Sequence, residues 1–328
     1  MWQPVPWFVA GGLHSPEVAR LLAYAATGGK EGVIEAGDCK VKALDIPATA
    51  VRVVPGGLAI RNRAAGAGGQ SYFARNPEDE EVALTATGSG GPRTDLIIAR
   101  IEDPQYSPWE TPADPEAGPY VFSRVIEGVP ADTSRVQQLA GHENDSADTL
   151  ARVTRPASTG TVQAAHITDL RQLVQPRSHR ILRAYQPVAD NALNAVSPAS
   201  ESWPLSGGWS LAIPEWANRV VVVAQLAGIS VAEPGVTGVI RIRLGDEGDA
   251  DQMLSESTYY NMSNGGTDAQ RIALVTGDEL DVPSAYRGTF QRAVIRANIS
   301  AAVPSVKRPT ADTGSTVLLD LQFMEVPE

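Results

Sequence analysis

Short apolar runs cut by glycine and proline about every ten residues leave little room for long helices and point to many strands joined by turns. From Gly37 onward, stretches 39–44, 50–54, 58–62, 70–75 and 81–87 each read as a strand. Pro47, Pro55-Gly56-Gly57, Gly66 to Gly69 and Asn76-Pro77 separate them. The strongest run is 92–106, P-R-T-D-L-I-I-A-R-I-E-D-P-Q-Y. Leu96, Ile97, Ile98, Ala99 and Ile101 are apolar on both faces, which predicts a central strand buried on both sides. Gly90-Gly91-Pro92 precedes it, and Asp103-Pro104 stops it because proline offers the ladder no donor.

Before these strands, Ser15-Pro16-Glu17 is a helix start, and Val18, Leu21, Leu22 and Ala25 follow at helical spacing up to Gly28-Gly29. After them the strand pattern resumes over 219–224, 239–244, 271–276, 290–299 and 316–326. In 239–244, Ile240, Ile242 and Leu244 alternate with Arg241 and Arg243; in the last run Val317, Leu319, Leu321 and Phe323 share a face. The expected fold class is all-β: two antiparallel β-sandwich domains, the second jelly-roll-like, with a short N-terminal helix. The expected division is an extended arm and helix over 1–30, a sandwich over 31–178, a linker over 179–200 and a second sandwich over 201–328.

Of the 328 residues, 43% are hydrophobic and 20% charged, the balance of a folded globular protein. The net charge is −11 and each half is acidic, which argues against nucleic acid as a partner. Cys39 is the single cysteine, so neither an intrachain disulfide nor a cysteine-based metal centre is expected. Residues 1–12 lack the basic and apolar regions of a signal peptide, and no run of apolar residues is long enough to span a membrane.

Chemistry is hard to place. His14, His142, His166 and His179 are scattered without metal-ligand spacing, and no serine sits in a nucleophile elbow. Gly88-Ser89-Gly90-Gly91 precedes a strand and reads as a turn. The Asp246, Asp249 and Asp251 loop is the best calcium candidate, although it lacks the alternating ligands and distal glutamate of an EF-hand. No catalytic residue, metal or cofactor is expected, and the chain is read as a non-enzyme. Contact residues are easier to name. Trp2, Trp7, Phe8, Leu21, Leu22, Tyr106 and Trp109 are candidates for a subunit interface, with the proline-rich loop 104–118 as the place to look. Tyr259, Tyr260 and Asn261, in a polar-aromatic stretch ending in Gly265-Gly266, are candidates for receptor contact.

Three motifs together resemble a family: V-R-V-x-P-G-G at 51–57, the R-x-D-L-I-I-A-R-x-x-D-P-Q-Y core at 93–106 and I-T-D-L-R at 167–171. They are similar to the minor tail (baseplate) proteins of long-tailed phages infecting actinobacteria. V-P-S-A-Y-R-G-T-F and D-T-G-S-T-V-L-L-D-L-Q-F in the second half are similar to the carboxy-terminal domains of the same proteins, more loosely. The resemblance implies a virion structural subunit, assembled in the bacterial host cytoplasm and mounted as a homotrimer at the tail tip beside other baseplate proteins. Its second sandwich would face the host envelope. The alternatives are a carbohydrate-binding adhesin that recognises an envelope glycan, and a cell-wall hydrolase.

Overall fold

The computed structural model describes residues 10–12, 15–106, 108–233, 235–262 and 269–328. The chain divides into two compact units, 1–175 with 326–328, and 176–325. Both are antiparallel β-structures, and the one α-helix among the described residues is α1 (Pro16–Thr27), so the all-β class with a short helix is observed.

Helix α1 begins and ends on the residues its sequence nominates. The Ser15 hydroxyl accepts the Val18 N–H at 3.3 Å, Pro16 occupies the first turn, and Gly28 closes the helix in the left-handed region at φ 62°. The first unit then runs β1 (Gly32–Val33), β2 (Val41–Ala43), β3 (Ala50–Val53), β4 (Gly56–Arg61), β5 (Ser71–Asn76) and β6 (Glu80–Ala83). It continues with β7 (Arg93–Ile101), β8 (Val121–Ile126), β9 (Ala147–Arg155) and β10 (Ile167–Asp169). Two small sheets, β1-β4-β5 and β2-β3-β6, share a core with the four-stranded sheet β10-β9-β7-β8.

Strand β7 is interior in that sheet and buried along nearly its whole length. Ile97, Ala99 and Ile101 enter the main core, while Leu96 and Ile98 pack on the other side with Val129, Val136 and Ala147. The continuous apolar run is thus explained by two cores, one on each face. Cys39 belongs to the main core, where burial above all pushes its thiol up to about 12. That thiol is an apolar filler, not a nucleophile.

At the start of β7 the chain buries an ion cluster. Arg93 holds both Asp95 oxygens, and Arg155, fully buried, donates to Asp95 Oδ2 at 2.9 Å. The Gly128 N–H adds a bond to Asp95 Oδ1 at 3.0 Å. Asp95 pins β7 to β9 and to the turn after β8.

The second unit comprises β11 (Ser178–Tyr185), β12 (Asn191–Ala192), β13 (Glu201–Ser202), β14 (Trp209–Ala212), β15 (Arg219–Val231) and β16 (Thr237–Leu244). It ends with β17 (Met253–Leu254), β18 (Thr258–Asn261), β19 (Gln270–Asp281), β20 (Phe290–Ile299), β21 (Thr310–Ala311) and β22 (Thr316–Met324). One six-stranded sheet has β22 between β11 and β15, with β19 on the far side of β15. In the other, β16 and β20 form the centre, flanked by β13 and β14 on one side and β17 and β18 on the other. The inward residues of both sheets, among them Val222, Ile242, Ile295, Leu321 and Phe323, meet in one core around Trp203. A bulge in β15 between Leu226 and Ile229 is built on Gly228 at φ 72°, where a Cβ would lie 2.5 Å from the Gly314 carbonyl oxygen.

One division differs from expectation. Residues 179–200, read as a linker, contain β11 and β12, and β11 pairs with β22 over eight residues. Only Ile181 of this edge strand β11 is buried, with Tyr185 packed partly on the core, and so few inward residues give no legible alternation. The strands read at 81–87 and 39–44 shorten to Glu80–Ala83 and Val41–Ala43.

Candidate contact sites

In the first unit, Arg20 is the residue that seats α1 on the sandwich. It is buried on the inner face of the helix, and its guanidinium donates to Gln70 Oε1 at 2.6 Å, Asp103 Oδ2 at 3.2 Å and Gln105 Oε1 at 2.5 Å. The same group lies over the rings of Tyr72 and Tyr106, 5.3 and 5.8 Å from their centroids. Tyr72 in turn donates to Asp103 at 2.8 Å, and burial together with that bond raises its hydroxyl above the ordinary tyrosine range. Tyr106 therefore serves the helix clamp more than an open surface.

Around this clamp the surface is apolar. Leu21 and Leu22 are 53% and 47% exposed, and Phe73 and Val121 on β5 and β8 are 56% and 41% exposed. Phe73 and Val121 line an open groove of about 530 Å³ with Pro16, Pro104 and Tyr120. Large side chains left this open on a folded unit mark a contact surface. Trp109, half-buried, stacks on the Arg100 guanidinium at 4.7 Å and lines a separate recess of about 480 Å³ with Tyr106 and Asp145. The structure thus brings Tyr106 and Trp109 to one recess, and places Leu21 and Leu22 on the open face of α1. Trp2, Trp7 and Phe8 lie outside the described residues. Sequence reading missed Arg20, Phe73 and Val121; the one available signal for Arg20 was a lone cation in the first turns of an otherwise apolar helix.

A second polar cluster adjoins this unit's core. Glu31 pairs with Arg63 and with Arg135, and Asp148 sits nearby with Oδ2 enclosed and unpartnered. Although Asp148 as a residue is half-exposed, burial of its carboxyl pushes it up to about 7, against the Thr149 N–H and the charges of Arg135 and Arg63, which lower it. A carboxyl whose folded value lies above its unfolded value near 3.8 binds its proton more tightly in the native state. The contribution of this one group is therefore fully present below the unfolded value and is lost as pH rises through about 7. Urea unfolding midpoints of wild type should fall from pH 5 to pH 8 relative to Asp148→Asn; parallel pH profiles for the two proteins would refute this.

In the second unit the two tyrosines named together part company. Tyr259 is 82% exposed, whereas Tyr260 is buried and donates its hydroxyl to the Asn298 carbonyl at 2.9 Å. Neighbours on a strand face opposite ways, and Gly238 across the ladder makes room for the inward ring: a Cβ there would lie 2.3 Å from the Tyr260 oxygen. Tyr260 is thus a core residue, which corrects its reading as a receptor contact. Asn261 is exposed at the end of β18, and residues 263–266 of the same stretch lie outside the described residues. The Asp246, Asp249 and Asp251 loop does not converge on a cation: no group of three potential ligands comes together among the described residues. Instead Asp249 accepts the Tyr286 hydroxyl at 3.0 Å and the Asp251 N–H at 3.0 Å, so its oxygens are spent on holding the turn.

No protein-family model matches the chain. No curated protein matches it. Among solved structures, the VP2 subviral particle of infectious bursal disease virus aligns at 11% identity and a TM-score of 0.24, over 90% of this chain and 74% of that one. The Gx strain of the same virus aligns at 10% identity and a TM-score of 0.20, over 91% and 78%. The tandem CBM22 modules of Paenibacillus barcinonensis Xyn10C align at 10% identity and a TM-score of 0.20, over 90% and 96%. At TM-scores this low the likenesses carry no argument about this chain's function. No helix among the described residues is long and apolar enough to cross a membrane.

Proposed function

We propose that the chain is a virion structural protein, a minor tail or baseplate subunit that assembles as a homotrimer at a phage tail tip. The carrying observation is the exposed apolar surface of the first unit: Phe73 and Val121 line an open groove beside a helix clamped by Arg20, and Leu21 and Leu22 of that helix are exposed as well. The motifs at 51–57 and 93–106 that resemble phage tail proteins lie in the same unit. In this reading the protein works by assembly geometry, without turnover: the first unit joins the baseplate and the second contacts the host. It is made in the bacterial cytoplasm and resides in the virion tail.

Light scattering on a sizing column is expected to give three times the 34.7 kDa chain mass. Phe73→Asp, which places a charge in the proposed interface at an exposed position, should shift the protein to monomer without unfolding it. A monomeric wild type would overturn the trimer.

Tyr259 favours a second reading, a carbohydrate-binding adhesin, because an aromatic ring 82% exposed on a sandwich offers a stacking face to a sugar. Host-envelope pull-down should weaken with Tyr259→Ala; unchanged capture would remove this residue from the account. Release of sugar or peptide from purified envelope would instead favour a hydrolase.

A further inference from the structure

The outer face of the sheet centred on β16 and β20 carries an arrangement that neither packing nor assembly explains. Ile240, Ile242 and Leu244 of β16 and Ala293, Ile295, Ala297 and Ile299 of β20 fill the core. Arg241 and Arg243 therefore face the other way, as does Arg296. Arg241 stands directly opposite Arg296 in the ladder, a like-charge pair that costs stability. Among the described residues one carboxylate ion-pairs with these guanidiniums, while Glu201 acts on Arg296 from farther away. Glu247, itself 67% exposed on the loop after β16, sets one oxygen 3.0 Å from Arg243 and the other 3.2 Å from Arg296.

The cluster is built and incompletely paired. Arg296, 9% exposed, is fixed by Ser200 Oγ at 3.2 Å, the Ser200 carbonyl at 2.5 Å and Ser202 Oγ at 3.4 Å. Arg243 is 4% exposed, and its Nε is buried without a partner. Arg241 makes no hydrogen bond or ion pair among the described residues. A chain of net charge −11 thus holds a cationic excess on two central strands, with donors left unspent. Glu247 shows what fits there: a planar carboxylate bridging two guanidiniums, its own carboxyl held below the ordinary glutamate range by the Arg243 hydrogen bond and then by Arg296. On the same face, Tyr259 pairs with Val239 and so lies diagonal to Arg241, within reach of a long side chain.

We propose that this face is a binding site for a carboxylated saccharide, in which Arg241, Arg243 and Arg296 take the ligand's carboxylate. Glu247 is the internal stand-in that the ligand displaces, and Tyr259 stacks on the sugar's C–H face. That the saccharide comes from a host envelope rests on the reading of the second unit as the host-contact element; the carboxylate site itself does not.

Calorimetry on the full chain at low salt, with galacturonate, galactose and inorganic phosphate as probes, tests it. Galacturonate should bind and galactose should not. Arg241→Gln should weaken galacturonate at least roughly tenfold, the loss of one charge-assisted contact. Because Arg241 makes no hydrogen bond or ion pair among the described residues, this variant should keep the wild-type circular dichroism. Glu247→Gln should tighten binding by removing the competitor, an effect a merely structural role would not produce. No heat from galacturonate up to roughly 10 mM, equal binding of galactose, stronger binding of phosphate, or an affinity unmoved or lowered by Glu247→Gln would each overturn the proposal. Galacturonate binding without envelope capture would remove the host-contact reading and leave the site; envelope capture untouched by Arg241→Gln would do the reverse.

Discussion

Asp95→Ala should be the most damaging single substitution in the first unit, costing about 3–5 kcal/mol because it strands a buried guanidinium. Both Arg155 and Asp95 have fully buried side chains, and Arg155 already leaves Nε and Nη1 without partners. Asp95 also takes Arg93 and the Gly128 N–H, so its loss frees β7, β9 and the turn after β8 together. The unfolding temperature of this unit should fall by roughly 10 °C. Adding Arg155→Met to Asp95→Ala should recover much of that, since an apolar pair can replace a buried ionic one. A single-variant loss within about 1 kcal/mol would mean that water reaches the cluster on little provocation.

Trp203→Ala should have a comparable effect on the second unit, about 3–5 kcal/mol for a large buried aromatic. The indole is 1% exposed, and its N–H donates to the Asn191 carbonyl at 2.9 Å, so it fills the core and holds the β12 segment to it. Trp203→Phe separates the two roles. It keeps most of the volume but orphans a carbonyl, and should cost about 1–3 kcal/mol. Denaturant midpoints followed by circular dichroism would measure both; equal losses for the two variants would assign the whole effect to the hydrogen bond.

Much of the framework was legible because the burial pattern is local. The 92–106 run announced a strand closed on both faces, and β7 has a core on each side. Alternation placed Ile240, Ile242 and Leu244 inward, and the capping residues of α1 fixed its ends. What escaped depends on residues far apart in sequence. Arg20 reaches Asp103 across 83 positions and Asp95 reaches Arg155 across 60, and no local pattern encodes either. Strand β11 escaped because an edge strand needs few inward residues. Tyr259 and Tyr260 were indistinguishable until the ladder said which faced the core, and the acidic loop after β16 looked like a cation site because the partner of Asp249, the Tyr286 hydroxyl, lies 37 positions away in sequence.

The place of β22 between β11 and β15 sets a timetable for synthesis. When the ribosome has delivered residues 178–185 and 219–231, the strand that must lie between them is still unmade. Both waiting strands present open ladder edges, and the core face of β15, with Val220, Val222, Ala224 and Leu226, has no cover. The second unit must therefore fold late, by closing a sheet from segments more than a hundred residues apart, which makes folding slow and the nascent chain prone to stray pairing. Expression at lower temperature, or with chaperones that hold unpaired strands, should raise the soluble yield of this unit more than that of the first.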